Sequence, residues 1–299
     1  MPPTFQPLDK SKKLIVILGP TASGKTALAV RLAQQYNAEV FSADSRQIYR
    51  ELNIGVARPS EAEMQGIMHH FINCVSITED YHVGRYEQEV LNALQSYFDY
   101  HDTAILAGGT GLYLKAVTHG IDPFPDTDPY VLQQLQHDLD TLGLPALAEE
   151  LRTSDPLTHA SIDHNNARRV VRALSVIRST GQPFSAFKTG QTKERPFDIH
   201  YHFTEVDRPL LYSRIEHRVD EMLDRGLLAE VESLLDRRHL KALDTVGYSE
   251  LFDYFDGQYT LPQAVDKIKQ HSRNYAKRQL TWFKKYVNEL REIGQPLIL

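Results

Sequence analysis

Residues Gly19-Pro20-Thr21-Ala22-Ser23-Gly24-Lys25-Thr26 fit G-x-x-x-x-G-K-[ST] at every fixed position. The run follows an apolar stretch, Leu14 to Leu18, and precedes a helix-like one, Ala27 to Gln35. Strand, glycine-bearing loop and helix in that order build a cradle whose backbone N–H groups turn inward around an anion. The helix N-terminus adds partial positive charge. Lys25 supplies a mobile point charge, and the Thr26 hydroxyl is placed to reach a magnesium ion. The rival is a turn with no ligand, and the flanking strand and helix argue against it. The loop specifies a phosphate or diphosphate and leaves open which molecule carries it.

Such a loop belongs on a parallel sheet, and the next hundred residues supply one. Residues 14–18 are expected as a buried strand, 25–36 as the following helix and 39–42 as a second strand. Residues 84–100 have helical periodicity, and 104–107 form another apolar strand closed by Gly108-Gly109. Strand and helix in alternation argue an α/β doubly wound sheet. From Gly120 to Pro129 the chain is rich in Pro and Asp, which marks a boundary. Residues 130 to about 190 show only helical segments. Residues 197–206 alternate again, as a strand returning to the sheet. The expected organisation is an α/β core of residues 1–119 and 196–299 with an all-helical insertion, 120–195. Helices are expected over 208–225, 227–238 and 261–288.

Composition narrows the partners. The net charge of -6 does not suggest a polyanion ligand, but the charge is segregated. Residues 164–193 hold six Lys/Arg (Arg168, Arg169, Arg172, Arg178, Lys188, Lys193) and no acid. Residues 267–288 hold seven (Lys267, Lys269, Arg273, Lys277, Arg278, Lys284, Lys285) and again no acid. Residues 126–155 reverse the balance. Two basic zones on an acidic chain are a local electrostatic footprint. The second zone interleaves Tyr275, Trp282, Phe283 and Tyr286, which suits stacking on bases or, equally, a helix face turned to the core. Cys74 is the only cysteine. It excludes an intrachain disulfide, fits a reducing compartment, and is expected to be a small buried residue. No signal peptide or membrane span is expected, so the chain reads as cytoplasmic.

In open α/β sheets ligands bind at the carboxyl ends of the strands. Three segments fall there: the loop at 19–26, Ser42-Ala43-Asp44-Ser45-Arg46-Gln47, and Gly108-Gly109-Thr110-Gly111. Asp44 can accept a proton or hold magnesium, and it can equally cap the next helix. Arg168, Arg169 and Arg172 cluster on one helical turn without a sequence-near acid, which favours an external anion. His69-His70 lacks further ligands at metal spacing.

Taken together, Gly19–Thr26, residues 42–49, Ile54-Gly55, residues 108–113, Arg172-Ala173-Leu174, Val246-Gly247-Tyr248 and Ala276-Lys277-Arg278-Gln279-Leu280-Thr281-Trp282-Phe283 resemble the bacterial tRNA dimethylallyltransferase (isopentenyltransferase) family, from about residue 13 to 286. The resemblance implies a P-loop NTPase-like doubly wound sheet. It also implies transfer of a dimethylallyl group from dimethylallyl diphosphate to N6 of the adenine 3′ of the tRNA anticodon, with Mg2+ as cofactor. Gly19, Pro20, Thr21, Ala22, Ser23, Gly24, Lys25 and Thr26 would hold the diphosphate, with Thr26 as the magnesium contact. Asp44 would be the general base, Thr110 and Arg218 would contact the diphosphate, and Ser45, Arg46 and Gln47 would line the flipped base. Arg168, Arg169, Val170, Val171, Arg172 and Asp244, Thr245, Val246, Gly247, Tyr248, Ser249 match stretches that touch tRNA. The expected state is a monomer without an obligate protein partner. The chain departs from the family pattern at Asn53 and Val56, often Asp and Thr, and lacks a proline within 163–166. The rivals are a P-loop kinase using ATP on a small molecule and a non-catalytic, nucleotide-dependent RNA-binding protein.

Overall fold

The computed structural model describes residues 11–292, 294, 297 and 298, with the side chain of 297 left aside. Backbone contacts divide the chain into two units. One runs through His119 and resumes at Glu194; the other is Gly120–Lys193.

The first unit opens with β1 (Lys13–Leu18), α1 (Lys25–Tyr36), β2 (Val40–Ser42), α2 (Glu61–Met64), β3 (His69–His70), α3 (Val83–Phe98), β4 (Thr103–Ala107) and α4 (Gly111–His119). The second contains α5 (Pro129–Leu142), α6 (Leu144–Ser154), α7 (Pro156–Ser161) and α8 (Ala167–Thr180). The chain then returns as β5 (Asp198–Phe203), α9 (Arg208–Asp224), α10 (Leu227–Glu232), α11 (Tyr248–Phe255), α12 (Leu261–Glu292) and β6 (Leu297–Ile298). The six strands lie in the order β3-β2-β4-β1-β5-β6, and every pair is parallel.

β1 is the centre of this sheet because both its faces are apolar. Leu14, Val16 and Leu18 point into the main core, while Ile15 and Ile17 meet Ala29, Leu32 and Ala33 of α1. A strand covered on both sides reads as a continuous hydrophobic run. β5 alternates instead: Tyr201 and Phe203 are buried in the main core and His200 and His202 are half-buried. The second unit has a core of its own, Leu135, Leu147, Leu151, Val170, Ala173 and Leu174.

Several expectations shift. The helix expected over 227–238 stops at Glu232 and gives way to a tight turn at Leu235–Arg237. α12 runs beyond 288, to Glu292, because Tyr286, Val287 and Leu290 keep its apolar stripe buried. The edge strand β3 is two residues long and too short to show a period. Arg195, placed by sequence in the insertion, belongs to the first unit. Its guanidinium is buried, donating to the carbonyls of Val117 and Ala116 and pairing with Glu87 at 2.8 Å. Cys74 is exposed rather than buried. It sits on the turn after Asn73 (φ 56°), where its N–H is tied to Ile48 O and the side chain is turned outward. Among the described residues no helix is long and apolar enough to cross a membrane.

Candidate active site

The loop after β1 has the conformation an anion cradle needs. Gly19 has φ +153°, and a Cβ there would collide with the Thr204 hydroxyl. Gly24, at φ +87°, caps α1, and Ala22 is left-handed at φ 60°. Ser23 is buried and its hydroxyl meets that of Thr204 at 2.7 Å. Thr204, at the end of β5, thus braces the loop, a role invisible in sequence because the two segments lie far apart. Lys25 begins α1 and donates to the Pro20 carbonyl at 2.6 Å. Burial pushes its ammonium down to about 7, against the attraction of Asp44 and with the repulsion of Arg218. Arg218, from the middle of α9, donates to the Thr21 hydroxyl at 3.2 Å, and burial lowers its pKa too. Two half-buried, partly desolvated cations meeting at one loop are costly unless an anion joins them.

Asp44 follows β2. One oxygen, Oδ1, accepts from the N–H groups of Arg46 and Gln47 at 2.9 and 3.2 Å. No hydrogen bond among the described residues reaches Oδ2. The two roles open in the sequence are therefore divided between two oxygens: one holds the turn, and the other is left for chemistry. Asp44 acts electrostatically on Lys25, Arg218 and Tyr275. Thr110 joins this group. Its hydroxyl accepts from the Ser45 N–H at 3.0 Å and meets Ser45 Oγ at 3.2 Å, while its N–H donates to the Ala43 carbonyl. Desolvation of its hydroxyl and then the Asp44 charge push Tyr275, on α12, up to about 12, although the side chain as a whole is exposed. Sequence left Tyr275 undecided between core and ligand; it lies beside Asp44 and Thr110.

The Gly-Gly-Thr-Gly turn is glycine-rich because it is crowded. A Cβ on Gly108 would meet the Ala43 backbone at 2.2 Å, one on Gly109 the Gln279 amide at 2.5 Å, and one on Gly111 the Trp282 ring at 2.4 Å. Thr110 is the member that faces the site.

Other expected contacts are used internally. Arg46 donates to the carbonyls of Ala242 and Asp244 at 3.0 and 3.1 Å, and Gln47 to those of Val56 and Ala57 at 3.2 and 2.9 Å. Gln47 engages only the carbonyl of Val56, so a change of side chain there leaves the bond intact. Tyr248 is fully buried against Gly55, and Val170 is fully buried in the helical unit, where Val171 packs beside it. These side chains build the frame; Asp244, Thr245 and Ser249 remain accessible beside them. Arg168, Arg169 and Arg172 are exposed, and Arg172 lies 5.9 Å from the Phe124 ring.

The basic zones are partly neutralised across helices. Arg178 pairs with Asp138 and Glu150 at 2.7 and 2.6 Å. Lys269 and Arg273 pair with Asp220 and Glu216 of α9 at 2.6 and 2.5 Å. Lys277, Arg278 and Lys284 are exposed and have no ion pair among the described residues. Of the aromatics on α12, Phe283 and Tyr286 are core, Trp282 is half-buried, and Tyr275 is 38% exposed.

A family model described as IPP transferase matches residues 47–286. The chain belongs to the IPP transferase family. It is 46% identical over 275 residues to a tRNA dimethylallyltransferase of Cytophaga hutchinsonii, covering 92% of this chain and 90% of that one. A second relative of the same description, from Flavobacterium johnsoniae, is 44% identical over 283 residues, 93% of this chain and 92% of that one. Among solved structures, a full-length tRNA isopentenylpyrophosphate transferase from Bacillus halodurans is 38% identical, with a TM-score of 0.65 over 91% of this chain and 87% of that one. A eukaryotic dimethylallyltransferase acting on tRNA is 28% identical, with a TM-score of 0.78 over 96% of this chain and 73% of that one. The α/β fold with the loop after β1 is therefore that of a prenyltransferase family, and the kinase and non-catalytic readings lose their ground.

Proposed function

We propose that this chain transfers the dimethylallyl group of dimethylallyl diphosphate to N6 of the adenine 3′ of a tRNA anticodon. The observation that carries the reading is one carboxylate, Asp44, electrostatically coupled to both half-buried cations of the anion cradle, Lys25 and Arg218. A displacement reaction needs that pairing. The N6 lone pair attacks C1 of the allyl group, the C1–O bond breaks with its electrons going to the diphosphate, and the N6 proton passes to Asp44 Oδ2. Lys25, Arg218 and the loop amides stabilise the charge that grows on the leaving group. The carboxylate helps a weakly nucleophilic amine by accepting its proton, typically worth about 10²–10⁴ in rate. An adenine in an anticodon loop is unpaired and leaves its stack at low cost.

Magnesium fits the donor set. Among the described residues no group of three or more His, Cys, Asp or Glu forms an all-protein cage. Thr26 would hold the ion together with the donor's own oxygens, the usual arrangement for a cation that arrives with a polyphosphate. When bound it would neutralise leaving-group charge.

The test is to incubate the protein with labelled dimethylallyl diphosphate and an anticodon hairpin, then identify the nucleosides by mass. N6-(dimethylallyl)adenosine is expected. Release of phosphate from ATP with no labelled nucleoside would overturn the reading.

A further inference from the structure

We infer that Gln279 is a positioning residue for the transfer reaction: its buried side-chain amide holds the anion cradle and the Thr110 turn at a fixed spacing. The inference rests on the reading above. Gln279 lies on the inward face of α12 and is 6% exposed. Its Oε1 accepts from the Thr21 N–H at 2.8 Å, and its Nε2 donates to the Gly109 carbonyl at 2.8 Å. One planar amide thus joins the loop after β1 to the loop after β4.

Each end leads directly to a reacting partner. Thr21 carries the hydroxyl that Arg218 donates to, so Gln279 orients the side that grips the leaving group. Gly109 precedes Thr110, whose hydroxyl accepts from the Ser45 N–H next to Asp44. The second end therefore orients the side that receives the adenine. In-line displacement requires nucleophile, carbon and leaving group in register, and a misplacement of about 1 Å can cost 10²-fold. The Thr21 N–H is also withdrawn from the anion by this bond, which decides which amides of the loop remain to face the diphosphate. A Cβ on Gly109 would stand 2.5 Å from Nε2, so a side chain there would push the amide out of its bonds. Lys277 and Arg278, two residues and one residue before Gln279 on the same helix, are exposed cations.

The experiment compares Gln279→Met, which keeps the volume and removes both bonds, with Gly109→Ala, Gln279→Ala and the double variant Gly109→Ala/Gln279→Ala. Measured are kcat and KM for transfer to an anticodon hairpin, hairpin affinity, and exchange of the Thr21 amide by NMR. Gln279→Met is expected to lower kcat by about 10²-fold. KM for the prenyl donor and the hairpin Kd should stay within about threefold, and Thr21 exchange should quicken by at least about tenfold. Gly109→Ala should lose a similar amount alone and nothing further once Gln279 is alanine, because the new methyl then has space. A kcat within about threefold of wild type, unchanged Thr21 exchange, or a double variant that multiplies the single losses would overturn the proposal. A wild-type chain that transfers nothing would instead overturn the functional reading, while Thr21 exchange would still decide whether Gln279 holds that loop.

Discussion

Lys25 and Asp44 meet opposite demands in the same pocket. Lys25, pushed down to about 7, is only partly charged at neutral pH in the free protein, and an incoming diphosphate should restore its proton. The sign follows from linkage: binding is strongest below about pH 7 and weakens by up to about tenfold per unit as pH rises through it, because protonation then accompanies binding. Calorimetry in buffers of different ionisation enthalpy should show proton uptake above pH 7, and that slope should be absent in Lys25→Met. Asp44→Asn isolates the chemistry. The amide oxygen can still accept from Arg46 and Gln47, so the turn survives, but no proton can be taken. Transfer should fall by about 10²–10⁴ with hairpin affinity unchanged; activity within about tenfold of wild type would remove Asp44 as the base.

Elements decide which charges are free. Residues 267–288 carry seven Lys/Arg and no acid, yet α9 lies against α12 and takes up Lys269 and Arg273. Reversing Lys277, Arg278 or Lys284 to Glu should each weaken hairpin binding and reduce the slope of log K against log salt by about 1. Reversing Lys269 should act on thermal stability first. α10 supplies a different brace. Glu230 accepts from the N–H groups of Ile54 and Gly55 at 2.8 and 3.0 Å and from the Tyr248 hydroxyl at 2.5 Å. Glu230→Ala would orphan three donors at once and should cost about 3 kcal/mol, read from the urea midpoint. A loss below about 0.5 kcal/mol would mean that water replaces the carboxylate.

At the scale of the molecule, the helical unit is a true insertion. Its ends meet: a Cβ on Gly120 would stand 2.5 Å from the Lys193 side chain. Its core is separate from that of the sheet. Deleting 121–192 and joining Gly120 to Lys193 through a short Gly/Ser linker should leave a first unit that melts cooperatively and still binds diphosphate. A non-cooperative melt would show that the sheet needs the insertion to fold. Arg195 would remain to tie α4 to α3 after such a deletion, and Arg195→Met in the intact chain should destabilise by about 3 kcal/mol, since the buried Glu87 carboxylate would lose this ion pair.

Sequence alone was enough for everything with a short period or a local motif. The glycine loop after β1, the strands β1, β2, β4 and β5, the helical insertion and the candidacy of Asp44 all follow from local patterns and motifs, where backbone geometry is dictated by neighbours; the short edge strands β3 and β6 do not. Tertiary structure decided what depends on distant partners. It braced the loop with Thr204, divided the two oxygens of Asp44, turned Cys74 outward and neutralised two cations of a basic helix with acids from α9. It also packed three glycines against Ala43, Gln279 and Trp282. Hydrogen bonds and ion pairs are settled by proximity in space, and a chain of 299 residues brings together groups that its linear order keeps more than a hundred residues apart.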